Sequence, residues 1–190
     1  MNRQEMRVWL IMVLGVGLVA CGETGDPPLV AEDVLQLNEE ANQVCIGGCV
    51  HWVTSEGVRR ARVEADTAFF IEDRALIDLR TMNVVFFDAA GDTTSILTSL
   101  EGTYDWNTQD MEAKRDVVVV NPKDGRRVET SVLYYNRAED RIWGDQPTKI
   151  YEPDGTVVEG TAFETNSRMD RVDLTAPRMV RPGTQPGRER

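Results

Sequence analysis

The sequence of residues 125–142 is GRRVETSVLYYNRAEDRI, and that of residues 155–172 is GTVVEGTAFETNSRMDRV. At a shift of thirty positions the two stretches share their first glycine, a Val-Glu pair, an asparagine and an Asp-Arg pair. A repeat of this length is typical of folds in which one supersecondary unit is stacked on copies of itself. The two stretches therefore predict a stacked architecture.

The same template extends towards the N-terminus with lower similarity. From the anchor residues Val63, Leu97, Val128 and Val158, mostly apolar or small residues recur two, five, seven, fourteen and sixteen positions later. Residues two apart lie on one face of a strand, whereas the step from two to five changes the face. An extra residue at that step, in a β-bulge or a corner, would return all these side chains to one side.

Each repeat contains a bent strand, a polar turn and a return strand, and further strands are predicted at 83–87, 117–120 and 148–151. Segments rich in Val, Ile, Phe, Tyr and Thr alternate with short clusters of Asp, Asn, Gly and Pro, as in all-β domains. We predict an all-β fold, a twisted open sheet of stacked antiparallel β-hairpins. Its inward positions include alanine, serine, threonine and glycine, which fit either tight corners or room for a ligand.

Residues 1–20 have the pattern of a signal peptide. Arg3 and Arg7 precede an uncharged apolar run at 8–20, which is shorter than the ~20 residues of a membrane-spanning helix. The run ends in LVAC at 18–21, which resembles the lipobox of bacterial lipoproteins. This pattern predicts cleavage before Cys21 and its acylation, and several acyl chains on one residue would anchor the chain durably. The alternative is a retained short membrane anchor with a chance cysteine.

Two further cysteines, Cys45 and Cys49, are separated by Ile-Gly-Gly. In an oxidising compartment we expect them to form a small local disulfide, since the glycines let the chain fold back. A zinc site that adds His51, and a pair of free thiols, are the other possibilities; Cys-x3-Cys-x-His lacks an evident fourth ligand.

Charge and composition exclude some classes of partner and indicate the limits of the segments. The formal net charge of −11 makes the chain a poor candidate for nucleic acid or a generic anionic membrane surface. We expect a signal peptide at 1–20, a lipidated tether with the cysteine pair at 21–53, the β-domain at 54–176, and a disordered arginine-rich tail at 177–190.

A resemblance to a known family rests on segments that occur in a fixed order after an export signal: VEAD at 63–66, LTSLEGTY at 97–104, VVVV at 117–120, VET at 128–130, LYYN at 133–136 and VEG at 158–160. With these segments, residues 58–174 resemble LptC, the periplasmic component of the lipopolysaccharide-export ABC transporter, and more broadly the OstA-like β-jellyroll. The lipobox is a departure, since other members carry an uncleaved transmembrane helix.

The resemblance implies a V-shaped groove that receives the acyl chains of lipid A from the transporter and passes them to an LptA-like bridge protein. Edge strands would pair with these partners by strand addition. Together with the lipobox, it implies a periplasmic protein anchored by its lipid, with the inner membrane favoured and the outer membrane as the alternative that Gly22 after the cysteine raises. It implies no catalytic residues and no cofactor. The groove would be lined by Val63, Phe70, Leu79, Leu97, Tyr104, Met111, Val128, Leu133, Tyr135, Ile142, Val158 and Phe163.

Three other readings compete with lipid transport. An enzyme of the Ser-His-Asp or Cys-His type would have to use His51, the only histidine, which lies outside the repeats. A structural lipoprotein that binds only protein would have a closed core made of the same inward residues. A soluble lipid shuttle of the same fold would not need the anchor at Cys21.

Overall fold

The computed structural model describes residues 40–180, which lie within the compact unit Glu32–Arg190. The described chain is all-β, with one short 3-10 turn at Glu72–Arg74, so the predicted fold class is confirmed. In that part of the chain no helix has the length and apolar character needed to cross a membrane. The strands are β1 (Gln43–Ser55), β2 (Val58–Ile71), β3 (Leu76–Phe87), β4 (Thr93–Asp105), β5 (Met111–Val120), β6 (Arg127–Asn136), β7 (Arg141–Gly144), β8 (Thr148–Tyr151), β9 (Val157–Gly160), β10 (Ala162–Thr165), β11 (Asp173–Thr175) and β12 (Arg178–Val180).

Consecutive strands pair antiparallel from β1 to β7, which is the stacked-hairpin topology that the repeat predicts. Beyond β6 the sheet divides. One branch continues through β7, β10 and β11, and the other through β8, β9 and β12. The strands before this point are long enough to belong to both branches, because each of them turns a corner near its middle.

The corner lies at the step where the repeat changes phase. The register shifts between Thr98 and Glu101 on β4, and between Lys114 and Val117 on β5. Return strands absorb the bend with positive φ angles at residues other than glycine: Thr81 has a φ of 54°, and Arg115 one of 64°. A corner of this kind increases the local twist and re-aims the strand, so the predicted bulge is confirmed.

The corner separates two sheet halves, which we call the first arm and the second arm. The first arm contains residues 49–65, 82–99, 117–130, β8, β9 and β12. The second arm contains residues 43–46, 67–80, 101–114, 132–136, β7, β10 and β11. One continuous cluster of buried residues, contributed by both arms, fills the space between them.

Two predicted boundaries are corrected by the structure. The sheet begins at Gln43 rather than at residue 54, so the cysteine pair and His51 belong to strand β1 and not to a tether. The reason is a bulge at Gly47 and Gly48, whose φ angles of 85° and 103° interrupt the alternation that identifies a strand. The tail is not wholly irregular either, since Arg178–Val180 pairs with β9. The signal peptide, Cys21 and residues 181–190 lie outside the described residues.

Candidate functional site

Eleven of the twelve predicted groove residues belong to the buried cluster between the arms or pack against it, and Val158 does not. Ten of the twelve are buried, and only Phe70 and Val158 are half-buried. Burial raises the pKa of Tyr104 to about 12, with a smaller contribution from Asp105. Burial also raises the pKa of Tyr135 to about 12, with a smaller contribution from Asp140. The raised pKa values reflect the apolar surroundings of the two phenols, which are buried in the interior.

Over most of its length this interior is closed. The ring of Phe86 on the first arm meets that of Tyr135 on the second arm edge to face, with centroids 5.2 Å apart. Met169, in the turn after β10, is fully buried. These side chains occupy the space that an open groove would leave to a ligand.

The turn at 166–170 carries Met169 across from the second arm to the first. The hydroxyls of Thr94 and Ser95 donate to the Ser167 carbonyl at 3.1 Å and 2.7 Å. The Asn121 side-chain amide donates to the Arg168 carbonyl at 3.3 Å. These bonds satisfy carbonyls that would otherwise be unpaired, and they hold the turn over the interior.

Towards β1 the interior opens into an apolar cleft. Its volume is about 110 Å³, and Val63, Phe70, Leu79 and Tyr104 of the predicted set line it. The other lining residues are Cys45, Cys49, Val50, His51, Ala65, Ala68 and Ile77. We call this space the β1 cleft.

Small inward residues have different roles at the two ends of the interior. A Cβ atom added at Gly144 would lie 2.7 Å from the Phe163 ring, and one added at Gly102 would lie 2.5 Å from the Met82 sulfur. These glycines therefore allow close packing. Ala65 and Ala68 instead line the β1 cleft, where their small side chains leave space.

A disulfide joins Cys45 and Cys49 at the rim of the β1 cleft. It spans the bulge of β1, and the neighbouring side chains Ile46 and Val50 are 66% and 56% exposed. Together with the apolar cleft, these side chains on an edge strand form a solvent-accessible hydrophobic rim.

His51 follows the disulfide on β1, and its ring lies 5.2 Å from that of Tyr104 on the opposite arm. Burial beside the cleft lowers the pKa of the imidazole, which favours its neutral form. Both cysteines are bonded to each other, and within residues 40–180 no three His, Cys, Asp or Glu side chains are placed to hold a metal. The alternative of a zinc site with His51 therefore has no support in the described structure.

Several of these residues differ from the sequence prediction. Cys45, Cys49 and His51 lie on a strand and not in the predicted tether, and the alternation of Cys49, His51 and Val53 is a strand signal in the sequence. Phe86 and Met169 are not among the predicted groove residues. Nothing in the repeat marks the turn residue Met169 as buried, because its position depends on contacts between the arms.

Comparisons with known proteins bear on these observations. A family model described as LptC: Lipopolysaccharide-assembly, LptC-related matches residues 10–177. Among solved structures, the chain is similar to LptH of Pseudomonas aeruginosa, described as the LptA-homologous periplasmic component of the conserved lipopolysaccharide transport device. The identity is 17% and the TM-score 0.49, over 65% of this chain and 95% of that chain. No curated protein matches the chain.

Proposed function

Because the chain belongs to the LptC-related family of lipopolysaccharide-assembly proteins, we propose that it carries lipopolysaccharide acyl chains between its two arms. Membership of this family also confirms that the chain is a non-enzymatic transport component. In the proposed path, acyl chains enter at the β1 cleft from the transporter and leave towards a bridge protein. The observation that supports this path is the apolar cleft beside an edge strand, continuous with the buried interior.

The driving force is the hydrophobic effect. Each methylene transferred from water to an apolar site gains about 0.8 kcal/mol. The lining of the β1 cleft contains Phe70, Ile77 and Leu79, which offer only carbon surface to a chain. Sugars and other polar groups would remain outside because burying them without hydrogen bonds is costly.

Loading requires the arms to separate. The β1 cleft, at about 110 Å³, is smaller than the ~300–1,000 Å³ typical of ligand pockets. Acyl chains longer than the cleft would have to displace the contact between Phe86 and Tyr135 and the buried Met169. The bonds that hold the turn at 166–170 would then act as a latch whose opening admits the lipid.

The two ends of the sheet suit different partners. β1 is the edge at one end, whereas β11 and β12 are the edges at the other. Edge strands offer unpaired backbone groups to which a partner can add a strand. We propose that β1 faces the membrane subunits of the ABC transporter, and that the opposite edge faces the LptA-like bridge protein.

The proposed location is the periplasm, with the acylated Cys21 as the tether. The inner membrane is the favoured site because the transporter lies there, and the outer membrane is the alternative that Gly22 raises. Radiolabelled palmitate would be incorporated by the wild type and not by a Cys21→Ala variant; labelling of both would exclude this anchor.

The transport proposal is tested by site-specific photo-crosslinking in cells. A photoreactive amino acid replaces Tyr135 in the interior, and a control variant carries it at Ala138, which is exposed in a turn. We expect ultraviolet-dependent attachment of lipopolysaccharide at position 135 and not at 138. Absence of lipid at positions 70, 104 and 135 alike, in a folded protein, would contradict the proposal.

One observation favours a second candidate, a structural lipoprotein that binds only protein. Ten of the twelve predicted lining residues are buried, as they would be in a closed core. This candidate predicts protein adducts at the edge strands and no lipid at any interior position. The same set of photoreactive variants therefore separates the two candidates.

A further inference from the structure

A polar cleft lies where the ends of the two arms meet, outside the contact between Phe86 and Tyr135. Its volume is about 180 Å³. Arg60 enters it from the first arm, and Arg137 and Arg168 enter it from the two turns that follow β6 and β10. We call it the arginine cleft.

These three arginines differ from most basic residues of the described chain. Nine of the sixteen lysines and arginines in residues 40–180 have a carboxylate oxygen within 4.0 Å and seven do not, and Arg60, Arg137 and Arg168 are three of these seven that line one cleft. In a chain with a formal net charge of −11, acidic partners are abundant. Their absence from three converging guanidinium groups is therefore informative.

Arg137 gives a second, independent sign of a missing partner. Its Nε atom is buried and makes no hydrogen bond within the described structure. A buried donor without an acceptor costs free energy, and native proteins rarely leave one. An anion in the cleft would supply that acceptor.

The acidic residues of the cleft are already engaged. Asp88 accepts hydrogen bonds from the amides of Ala90 and Asp92 in its own turn, at 2.9 Å and 3.0 Å. Asp140 accepts one from the Ser167 amide at 3.3 Å. With three guanidinium groups against two carboxylates, the cleft keeps a positive balance that suits an anion.

The floor of the arginine cleft is apolar and belongs to the interior. Phe86 and Tyr135 line the cleft and also pack against each other in the core. A ligand with a charged group among the arginines and apolar chains between the arms would match both surfaces. Free phosphate would match only the first.

We propose that Arg60, Arg137 and Arg168 bind a phosphate group on the headgroup of the carried glycolipid. This inference rests on the proposed function and adds the position of the headgroup. Arginine suits the task because its fork of donors can bind a phosphate with two parallel hydrogen bonds. The phosphate would lie at the ends of the arms, and the acyl chains of the lipid would lie between the arms.

The test compares the binding of two glycolipids that share their acyl chains, phosphorylated lipid A and its dephosphorylated form, to the full chain. We expect the wild type to bind the phosphorylated lipid roughly tenfold more tightly, and the R60Q/R137Q/R168Q variant to bind both lipids alike. The single variant R168Q, which changes an exposed side chain, should lose part of the preference without affecting folding.

The control is R74Q/R115Q/R171Q, which removes three charges from exposed, ion-paired arginines. Surface pairs of this kind contribute little to stability, and this variant should keep the preference for the phosphorylated lipid. Loss of the preference in the control would show a general charge effect and overturn the assignment to the arginine cleft.

The remaining outcomes separate this inference from the transport proposal. Equal binding of both lipids by the wild type would overturn the phosphate site and leave lipid transport standing. Binding of neither lipid would overturn transport itself. Binding of inorganic phosphate alone at the three arginines, without a preference between the lipids, would assign the cleft to free phosphate and contradict the headgroup inference.

Discussion

The two ends of the interior are built on the same repeat and are filled differently. Near β1 the inward positions Ala65 and Ala68 leave a cleft. Near β7 and β10 the inward residues Leu133, Ile142 and Phe163 are buried, and they line neither the β1 cleft nor the arginine cleft. The repeat therefore fixes the direction of the side chains, while their size decides whether the arms enclose space.

The largest difference in stability between the two ends should appear when an aromatic side chain is removed from each. Phe163→Ala should lower the free energy of unfolding by about 3–5 kcal/mol, because it leaves a cavity in a closed core. Phe70→Ala, at the half-buried rim of the β1 cleft, should cost less than half as much. Urea denaturation of both variants measures the two values, and equal losses would contradict the contrast between the ends.

Enlarging an alanine should have opposite consequences at the two ends. Ala113→Leu, at a fully buried position, should cost about 1–3 kcal/mol through overpacking. Ala68→Leu, which points into the β1 cleft, should be close to neutral for stability and should reduce lipid capture there. Denaturation and photo-crosslinking of the same two variants test this pair, and a large stability loss in Ala68→Leu would show that the cleft is not free space.

The disulfide at the rim should stabilise β1 modestly. It closes a loop with a sequence separation of 4, for which the chain-entropy model gives roughly 2 kcal/mol. A Cys45→Ser/Cys49→Ser variant should lose up to this amount of unfolding free energy. The wild type in reductant is the matched control and should show the same loss; no change in either would mean that the pair contributes nothing to the edge.

The smallest effect concerns pH. Burial lowers the pKa of folded His51 below its usual value of 6.5, so the unfolded chain binds a proton more readily. Stability from this residue is present above pH 6.5 and is lost as the pH falls from there to the folded pKa. The melting temperature of the His51→Gln variant should therefore fall less between pH 7.5 and pH 5 than that of the wild type. An identical fall in the two proteins would contradict this prediction.

Much of the fold could be predicted from the repeat. The anchors Val63, Leu97 and Val128 and the phase change after them indicated which face is buried and where the strands bend. Strand β1 could not be predicted because the Gly47–Gly48 bulge interrupts the alternation of its side chains. The positive φ angles of Thr81 and Arg115 could not be predicted either, since neither residue type favours that conformation.

The site was less predictable than the fold. The twelve inward residues could be found by periodicity, but periodicity does not distinguish a groove from a core. That distinction depends on how Phe86, Tyr135 and Met169 meet across the arms. The arginine cleft depends on the same tertiary arrangement, because Arg60 is more than seventy positions from Arg137 in the chain.

The most direct test of the account is a comparison of lipid capture at the two ends of the interior. The same photoreactive aromatic residue replaces Phe70 in one variant and Phe163 in another, and protease resistance confirms that both variants are folded. The account predicts strong lipopolysaccharide attachment at position 70 and much weaker attachment at position 163. Attachment at neither position, or stronger attachment at position 163, would contradict entry of the lipid at the β1 cleft.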